Sequence, residues 1–363
     1  MVIAMTGASG FVGRVVAPLL VGRGCRVRAL VRGGSGAGGA VRAVGSAALC
    51  GGAGGAVWAA AGMEGVEIVT GDLLQGERLA ELVRGADVVI HLAAAITVGD
   101  TFDSEAFRVN SEGTRLLLEA ARAAGVRRFI QVSSVIVFEQ APYDRVLNED
   151  RPLALESAYD YERSKLAAHT MALNFNTPGF EVIVLAPTAV IGPYDWRPSR
   201  IGEMVMNLYR GRIPAIFDAG IDFVDVRDVA AALVASLDRG RPGQVYLLSG
   251  GWRSLVELRD AVAFAFAAVK GRRVGGAARM GRRVLPLLLP LWLVRGAVPL
   301  VRVFSAVTGA LRYFNRAAID KLVYSNRHVD ASRARAELGF ASRPFAETIR
   351  DTVEWFRQEG YIS

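Results

Sequence analysis

A chain of 363 residues, 52% of them hydrophobic, carries enough apolar side chains for a large core, which excludes a disordered protein and suggests one big or two modest domains. Two cysteines, Cys25 and Cys50, exclude a disulfide framework and a thiolate zinc site and fit a reducing cytoplasm, while His91, His169 and His328 stand in no metal-ligand spacing, so no metal is expected. The net charge of +8 leaves nucleic acid, a membrane surface or an anionic cofactor as partners.

The opening MVIAMTG has neither a basic n-region nor a separate apolar h-region, so no secretory signal is expected. VIAMTG reads as a short buried strand, and FVGRVVAPLLVGRG as a helix closed by glycines. RVRALV (26–31) is a second strand. Residues 33–65 are mostly Gly, Ala, Ser and Val, with no acid before Glu64, and read as a flexible insertion around a weak helix to which no chemistry is assigned. Strand patterns return at VEIVTGD (66–72), ADVVIHLAA (86–94), RRFIQVSS (127–134), FEVIVLAP (180–187) and QVYLLSG (244–250), with helical patterns such as SEGTRLLLEAARAAG and YERSKLAAHTMALNF between them. Continuous apolar strands alternating with amphipathic helices predict an α/β fold, a Rossmann-type doubly wound parallel sheet covered on both faces. After Pro187 the pattern loosens into the loop IGPYDWRPSR, a helix near 203–210 and two last sheet elements within 213–250. The rest is helical. The expected division is a cofactor-binding domain of 1–186 plus 213–250 and a smaller, mostly helical substrate lobe of 187–212 plus 251–363.

TGASGFVG places Gly7, Gly10 and Gly13 directly after the first strand and at the mouth of the first helix. Glycines there let the backbone approach a pyrophosphate, while the helix N-terminus offers free N–H groups and a positive dipole end. Tyr161 and Lys165 in YERSK stand at i and i+4 and so share one helix face. A free phenol, with a pKa near ~10, trades protons poorly at neutral pH, and a cation held close favours its phenolate. Lysine suits this position because its slim ammonium can also donate to ribose hydroxyls, whereas guanidinium is a broad fork.

In this order, TGASGFVG, GDL at 71–73, HLAA at 91–94, RVNSEGT around Asn110, VSSVIVF at 132–138, YERSK and LAPTAVIGP at 185–193 resemble the short-chain dehydrogenase/reductase superfamily, in its extended branch of epimerases, dehydratases and reductases. The likeness runs on to the ending HVDASRARAELGF and ETIRDTVEWFRQEGY. It implies Tyr161 as general acid/base beside Lys165, with a serine hydroxyl holding the substrate oxygen: Ser134, four residues before an aromatic, with Ser133 as the alternative. It implies that Asn110 supports the lysine through structural water. The cofactor would lie on Gly7, Ser9, Gly10, Phe11, Val12 and Gly13, with Asp72 and Leu73 flanking adenine, and with Ala93 and Pro187 on the nicotinamide side. An acid at the end of the second strand would bind the adenosine ribose and repel a 2′-phosphate. Arg32 stands there instead, and a guanidinium pairs with phosphate, so NADP is expected ahead of NAD.

The VRALVR strand, the VSSVIVF strand and the WFRQEGY ending look most like the 3β-hydroxysteroid dehydrogenase, sterol-carboxylate dehydrogenase and dihydroflavonol reductase types, which implies hydride transfer at a hydroxyl or ketone of an apolar small molecule. Ala186 departs from the sugar-nucleotide members, many of which have arginine before the proline, so a sugar or nucleotide-sugar epimerase/dehydratase is the second reading. A non-catalytic dinucleotide-binding protein is the rival from another class, against which stands the presence of Ser134, Tyr161 and Lys165 together. Between Asp260 and Asp320 there are ten cations and no acid, interleaved with Leu, Val and Pro and not with stacking aromatics, which argues against nucleic acid. The longest charge-free run there, Val284–Val294, is 11 residues, short of the ~20 that span a bilayer, and prolines break it. It either walls the substrate lobe or makes a peripheral contact with an anionic membrane. The resemblance also implies a homodimer through the helices that carry Asn110 and Tyr161.

Overall fold

The apolar runs become the strands of one parallel sheet: β1 (Val2–Thr6), β2 (Arg26–Val31), β3 (Val66–Thr70), β4 (Val88–His91), β5 (Arg128–Val132), β6 (Glu181–Pro187) and β10 (Val245–Leu248). The computed structural model describes residues 1–32, 65–95, 103–157, 159–213, 215–269, 287–294, 296 and 316–363. Strand order is β10-β6-β5-β4-β1-β2-β3, and every neighbouring pair runs parallel. Successive side chains enter opposite cores: Ile3 and Met5, Val88 and Ile90, and Ile183 and Leu185 face one, while Ala4, Val89, Val182 and Val184 face the other. Burial on both faces is why these strands read as unbroken apolar runs rather than alternating ones.

Helices cover both faces. α1 (Phe11–Gly22) and α6 (Val226–Ala235) pack on the first face through Val16, Ala17, Val229 and Leu233. On the second lie α2 (Gly76–Val83), α3 (Ser104–Ala123) and α4 (Asp160–Asn174), contributing Leu79 and Leu82, Leu117 and Leu118, and Leu166 and Ala172. Asp103 caps α3 by accepting from the Ala106 N–H at 3.0 Å.

Beyond Pro187 the structure holds more strand than the sequence pattern suggests. The region 213–250 contains three strands: β8 (Ala215–Phe217), β9 (Gly220–Asp225) and β10. β9 lies between β7 (Ala189–Ile191) and β11 (Trp252–Ser254), and β8 pairs with β12 (Leu287–Leu289). The part read as mostly helical therefore contributes two three-residue strands, too short to show a period. α5 (Arg200–Tyr209), α7 (Leu255–Val269) and α10 (Phe345–Gln358) close a third core around Tyr209, Phe266 and Phe356. A fourth, smaller cluster joins Ile216, Phe217 and Val294 to Ile319 of α8 (Arg316–Val323), and α9 (Ser332–Leu338) returns to the main sheet side.

The insertion read at 33–65 lies outside the described residues except for Gly65, as does most of the basic segment. Of the apolar run, β12 is followed by a turn in which the Leu293 N–H donates to the Pro290 carbonyl at 3.1 Å. Leu289 and Val294 face the fourth cluster, while Leu287, Leu288, Trp292 and Leu293 are exposed. No helix among the described residues is long and apolar enough to cross a membrane.

Candidate active site

The sheet positions the site by topology. Order reverses between β1 and β4, and the carboxyl ends of β1, β4, β5 and β6 open into one cleft of about 1070 Å3. Gly7, Gly10, Phe11, Val12 and Gly13 line it from the loop between β1 and α1, Ser133 and Ser134 from the end of β5, Tyr161 and Lys165 from α4, and Pro187 from β6. Asn110, Ser9, Arg32, Asp72, Leu73 and Ala93 are not part of its wall.

The loop is tight enough to require glycine at two places. Gly7 has φ +73°, and a Cβ there would stand 2.6 Å from the Ala93 nitrogen. A Cβ on Gly13 would lie 2.6 Å from the Ala8 Cα and closer still to the Gly7 carbonyl. The Gly10 N–H turns back to the Gly7 carbonyl at 2.9 Å, so the loop folds on itself ahead of α1, whose N-terminus has no side-chain cap. An uncapped helix start behind a glycine cradle fits a pyrophosphate.

Ala93 abuts this loop through a buried relay. Its N–H donates to Thr6 Oγ1 at 3.3 Å, Thr6 pairs with His91 Nδ1 at 2.6 Å, and His91 Nε2 pairs with Thr114 Oγ1 at 3.0 Å. The Thr114 hydroxyl itself donates to the Asn110 carbonyl, which assigns the His91 proton to Nε2. Burial, with Lys165 nearby, pushes the His91 imidazole down to about 3, so it stays neutral. No group of metal-ligating side chains occurs among the described residues.

Asn110 is a clamp. Its Oδ1 accepts from the Ala95 N–H at 2.7 Å, and its Nδ2 donates to the Ala95 carbonyl and to Ser164 Oγ, both at 2.9 Å. Both amide hydrogens are thereby engaged, and any water-mediated link to Lys165 is left with the second Oδ1 lone pair. The loop after β4 is tied to the helix that carries Tyr161 and Lys165.

On that helix, Tyr161, Lys165 and His169 share one face. Lys165 is buried and donates to the Val132 carbonyl at 2.9 Å, and burial lowers its ammonium to about 8. His169 Nδ1 pairs with Ser133 Oγ at 2.9 Å. That engages the Ser133 hydroxyl, while among the described residues Ser134 Oγ has only a long contact, 3.4 Å, from the Ile136 N–H at the start of the 3-10 turn Val135–Val137. Burial pushes the Tyr161 phenol up to about 12, Arg200 pulls it down and Glu162 raises it. The cation that lowers the phenol is thus Arg200, while the lysine at i+4 is turned to the Val132 carbonyl.

The sequence missed two cations of the wall. Arg200 is the first residue of α5, and Lys321 of α8 lies with its ammonium 5.5 Å from the Tyr161 ring centre. Neither belongs to a local motif. The only signal for Lys321 was the scarcity of lysine in an arginine-rich chain.

Of the cofactor residues outside the wall, Arg32 is exposed at the end of β2. Asp72 Oδ1 accepts from the Leu74 N–H at 3.1 Å, and Leu73 is buried under Gly113 in the second core. The Ser9 carbonyl accepts from Arg14 Nε at 3.1 Å. Around these residues the loop geometry suits a dinucleotide, and residues 3–249 match the model of the NAD dependent epimerase/dehydratase family. The chain belongs to this family. It is an enzyme of the extended short-chain dehydrogenase/reductase type, built for a nicotinamide cofactor. It is 30% identical over 359 residues to sterol demethylase protein B of Methylococcus capsulatus, covering 99% of each chain. It is 31% identical over 261 residues to 4-hydroxy-2-methyl-3-oxo-4-farnesyl-3,4-dihydroquinoline-1-oxide ketoreductase of Stigmatella aurantiaca, 70% of each chain. The crystal structure of gox2253 superposes with a TM-score of 0.75 and 27% identity, covering 100% of this chain and 99% of that one.

One acid near the cleft gives a pH prediction. Asp195 is buried, its Oδ2 accepts from the Ser199 N–H at 2.7 Å, and its Oδ1 finds no partner among the described residues. Burial raises its carboxyl from 3.8 to about 6. A raised acid contributes stability that is full below its ordinary value and is lost as pH rises through about 6, up to about 3 kcal/mol. The stability of Asp195→Asn relative to wild type should therefore climb between about pH 4 and pH 7 in denaturant titrations; a difference that ignores pH would contradict this.

Proposed function

We propose that this protein moves a hydride between a nicotinamide cofactor and a hydroxyl or ketone of an apolar, sterol-, isoprenoid- or lipid-like substrate. The observation that carries the reading is the convergence of the glycine loop with Ser134, Tyr161 and Lys165 in one cleft whose substrate side includes Ile136, Phe138, Leu155, Ile201 and Ile221. The two enzyme relatives, one named for a sterol and one for a farnesyl-bearing ketone, support it. In this reading Gly7, Ser9, Gly10, Phe11, Val12 and Gly13 hold the pyrophosphate side, Asp72 and Leu73 the adenine, and Ala93 and Pro187 the nicotinamide. Bound there, the nicotinamide supplies or accepts the hydride. Ser134 holds the substrate oxygen, and Tyr161 donates a proton to it in reduction or takes one in oxidation. Lys165, fixed on the Val132 carbonyl, favours the phenolate when it forms, and Asn110 keeps the helix in register.

The chain works as a cofactor unit of 1–186 plus 213–250 and a substrate lobe of 187–212 plus 251–363. Turnover of NADPH and NADH with a panel of sterol ketones, isoprenoid ketones and nucleotide sugars tests the reading. Oxidation of the cofactor by apolar ketones is expected; conversion of nucleotide sugars alone would replace the reading with an epimerase/dehydratase.

The cofactor is NADP ahead of NAD, with Arg32 on the 2′-phosphate. Arg32→Asp should weaken NADPH at least tenfold and spare or improve NADH, because a carboxylate repels the phosphate and accepts ribose hydroxyls. Fluorescence titration of both cofactors reads the ratio, and an unchanged ratio would remove Arg32 from that role.

The setting is the cytoplasm, as a homodimer through α3 and α4, with a peripheral contact to an anionic membrane at the apolar run. Exposed Trp292, Leu287 and Leu288, beside the sequence's acid-free cationic stretch, support that contact. Binding to anionic vesicles at low salt, lost at high salt, is the expected co-sedimentation result, and protein left in the supernatant at low salt would discard it.

A further inference from the structure

The N-terminal turn of the catalytic helix is held from outside by α8. The Tyr159 phenol donates to Asp320 Oδ2 at 3.3 Å. Lys321 Nζ lies 3.3 Å from Glu162 Oε1 and 5.6 and 5.5 Å from the ring centres of Tyr159 and Tyr161. The other oxygen of Glu162 accepts from Ser157 Oγ at 2.6 Å. Glu162 thus has each oxygen engaged, one by its own loop and one by α8. Both Asp320 and Lys321 line the cleft, while Ile319 and Leu322 on the same helix pack into the fourth core.

We propose that Lys321 is a positioning residue for the reaction: from α8 it matches the carboxylate of Glu162 and lies over the Tyr161 ring, so that seating this helix fixes both the pose and the charge surroundings of the phenol. The proposal rests on Tyr161 being the acid/base group.

The charged groups around Tyr161 come from three elements: Glu162 and Lys165 from its own helix, Arg200 from α5, and Asp320 and Lys321 from α8. The acids Glu139, Glu156 and Asp222 complete the charged lining of the cleft. Of the two acids that flank Tyr161 in the chain, Asp160 pairs with Arg163, and Glu162 works against ionisation of the phenol, while Arg200 works for it. With Lys321 in place, the charge of Glu162 is offset and a second cation stands near the ring face, which attracts it through the ring quadrupole. Without it, the Glu162 carboxylate loses the cation paired with it and only Arg200 is left to work against it. Lys165 cannot replace it, being buried and committed to the Val132 carbonyl.

The test reads the phenol directly and needs no substrate, so it stays independent of which ketone or alcohol the enzyme accepts. Full-length protein carrying Tyr161→3,5-difluorotyrosine, whose more acidic phenol titrates in an accessible range, is followed by fluorine NMR with and without NADP+. Lys321→Met should raise the midpoint by about one pH unit, and Lys321→Arg should leave it within a few tenths. Adding Glu162→Gln to Lys321→Met should bring it back down. A midpoint unmoved by Lys321→Met in a protein that melts like wild type would overturn the proposal, as would a shift that persists in the double variant. Should Lys321→Met fail to fold, Glu162→Gln alone decides: a lower midpoint supports the assignment, and an unchanged one overturns it.

Discussion

Tyr161→Phe is expected to lower turnover by about 100- to 10,000-fold while the protein binds its nicotinamide cofactor as before. The substitution removes one hydroxyl from the wall of the cleft and leaves the glycine loop intact, because no loop residue depends on it for a hydrogen bond among the described contacts. With burial holding the phenol near 12, Tyr161 is protonated at neutral pH and can give its proton to a carbonyl oxygen held by Ser134. Lys165→Arg should be crippled as well, although charge is kept, since a guanidinium does not fit the buried slot that ends on the Val132 carbonyl. Steady-state rates with an accepted ketone, set beside cofactor titration, separate the two effects. A Tyr161→Phe enzyme with more than about a tenth of wild-type activity would take the acid/base role away from this residue.

Gly13→Ala should damage the other half of the site. The added methyl would press on the backbone of Ala8 at 2.6 Å and on the Gly7 carbonyl, and neither is the movable end of a side chain. Either α1 shifts or the loop opens, at a cost of about 1–3 kcal/mol, and in both cases the cradle is lost. Cofactor affinity is expected to fall at least 100-fold, with a lower melting temperature. Gly22→Ala is the control, because nothing lies within 4 Å of a Cβ there. Wild-type affinity in Gly13→Ala would mean that the loop does not cradle the dinucleotide.

The main sheet was legible because burial on both faces writes itself into sequence as continuous apolar runs: each of its seven strands falls on a run picked out in advance. α2 was passed over although Leu79, Leu82 and Val83 repeat at helical spacing, since a single short helix between two strands gives only two turns of pattern. β7, β11 and β12 have three residues each, too few for a period of two to be seen, and they are set by partners far along the chain. For the site, motifs found what is local: the glycine loop, the i,i+4 pair and the strand-end serines. They put Ser134 ahead of Ser133 by its spacing to an aromatic, but could not show the hydrogen bond that engages Ser133, because its partner His169 is 36 positions away. Nor could they find Lys321, which reaches Glu162 only because α8 packs across the start of α4.

Net hydride transfer to an apolar carbonyl in this cleft is tested most directly by an isotope. An accepted apolar ketone is reduced with NADPH or NADH bearing deuterium at the transferable position of the nicotinamide, and the alcohol is weighed by mass spectrometry. A single deuterium is expected on the product carbon with one cofactor oxidised per turnover, and neither with Tyr161→Phe. A substrate returned as its stereoisomer, without deuterium and without net oxidation of the cofactor, would contradict it.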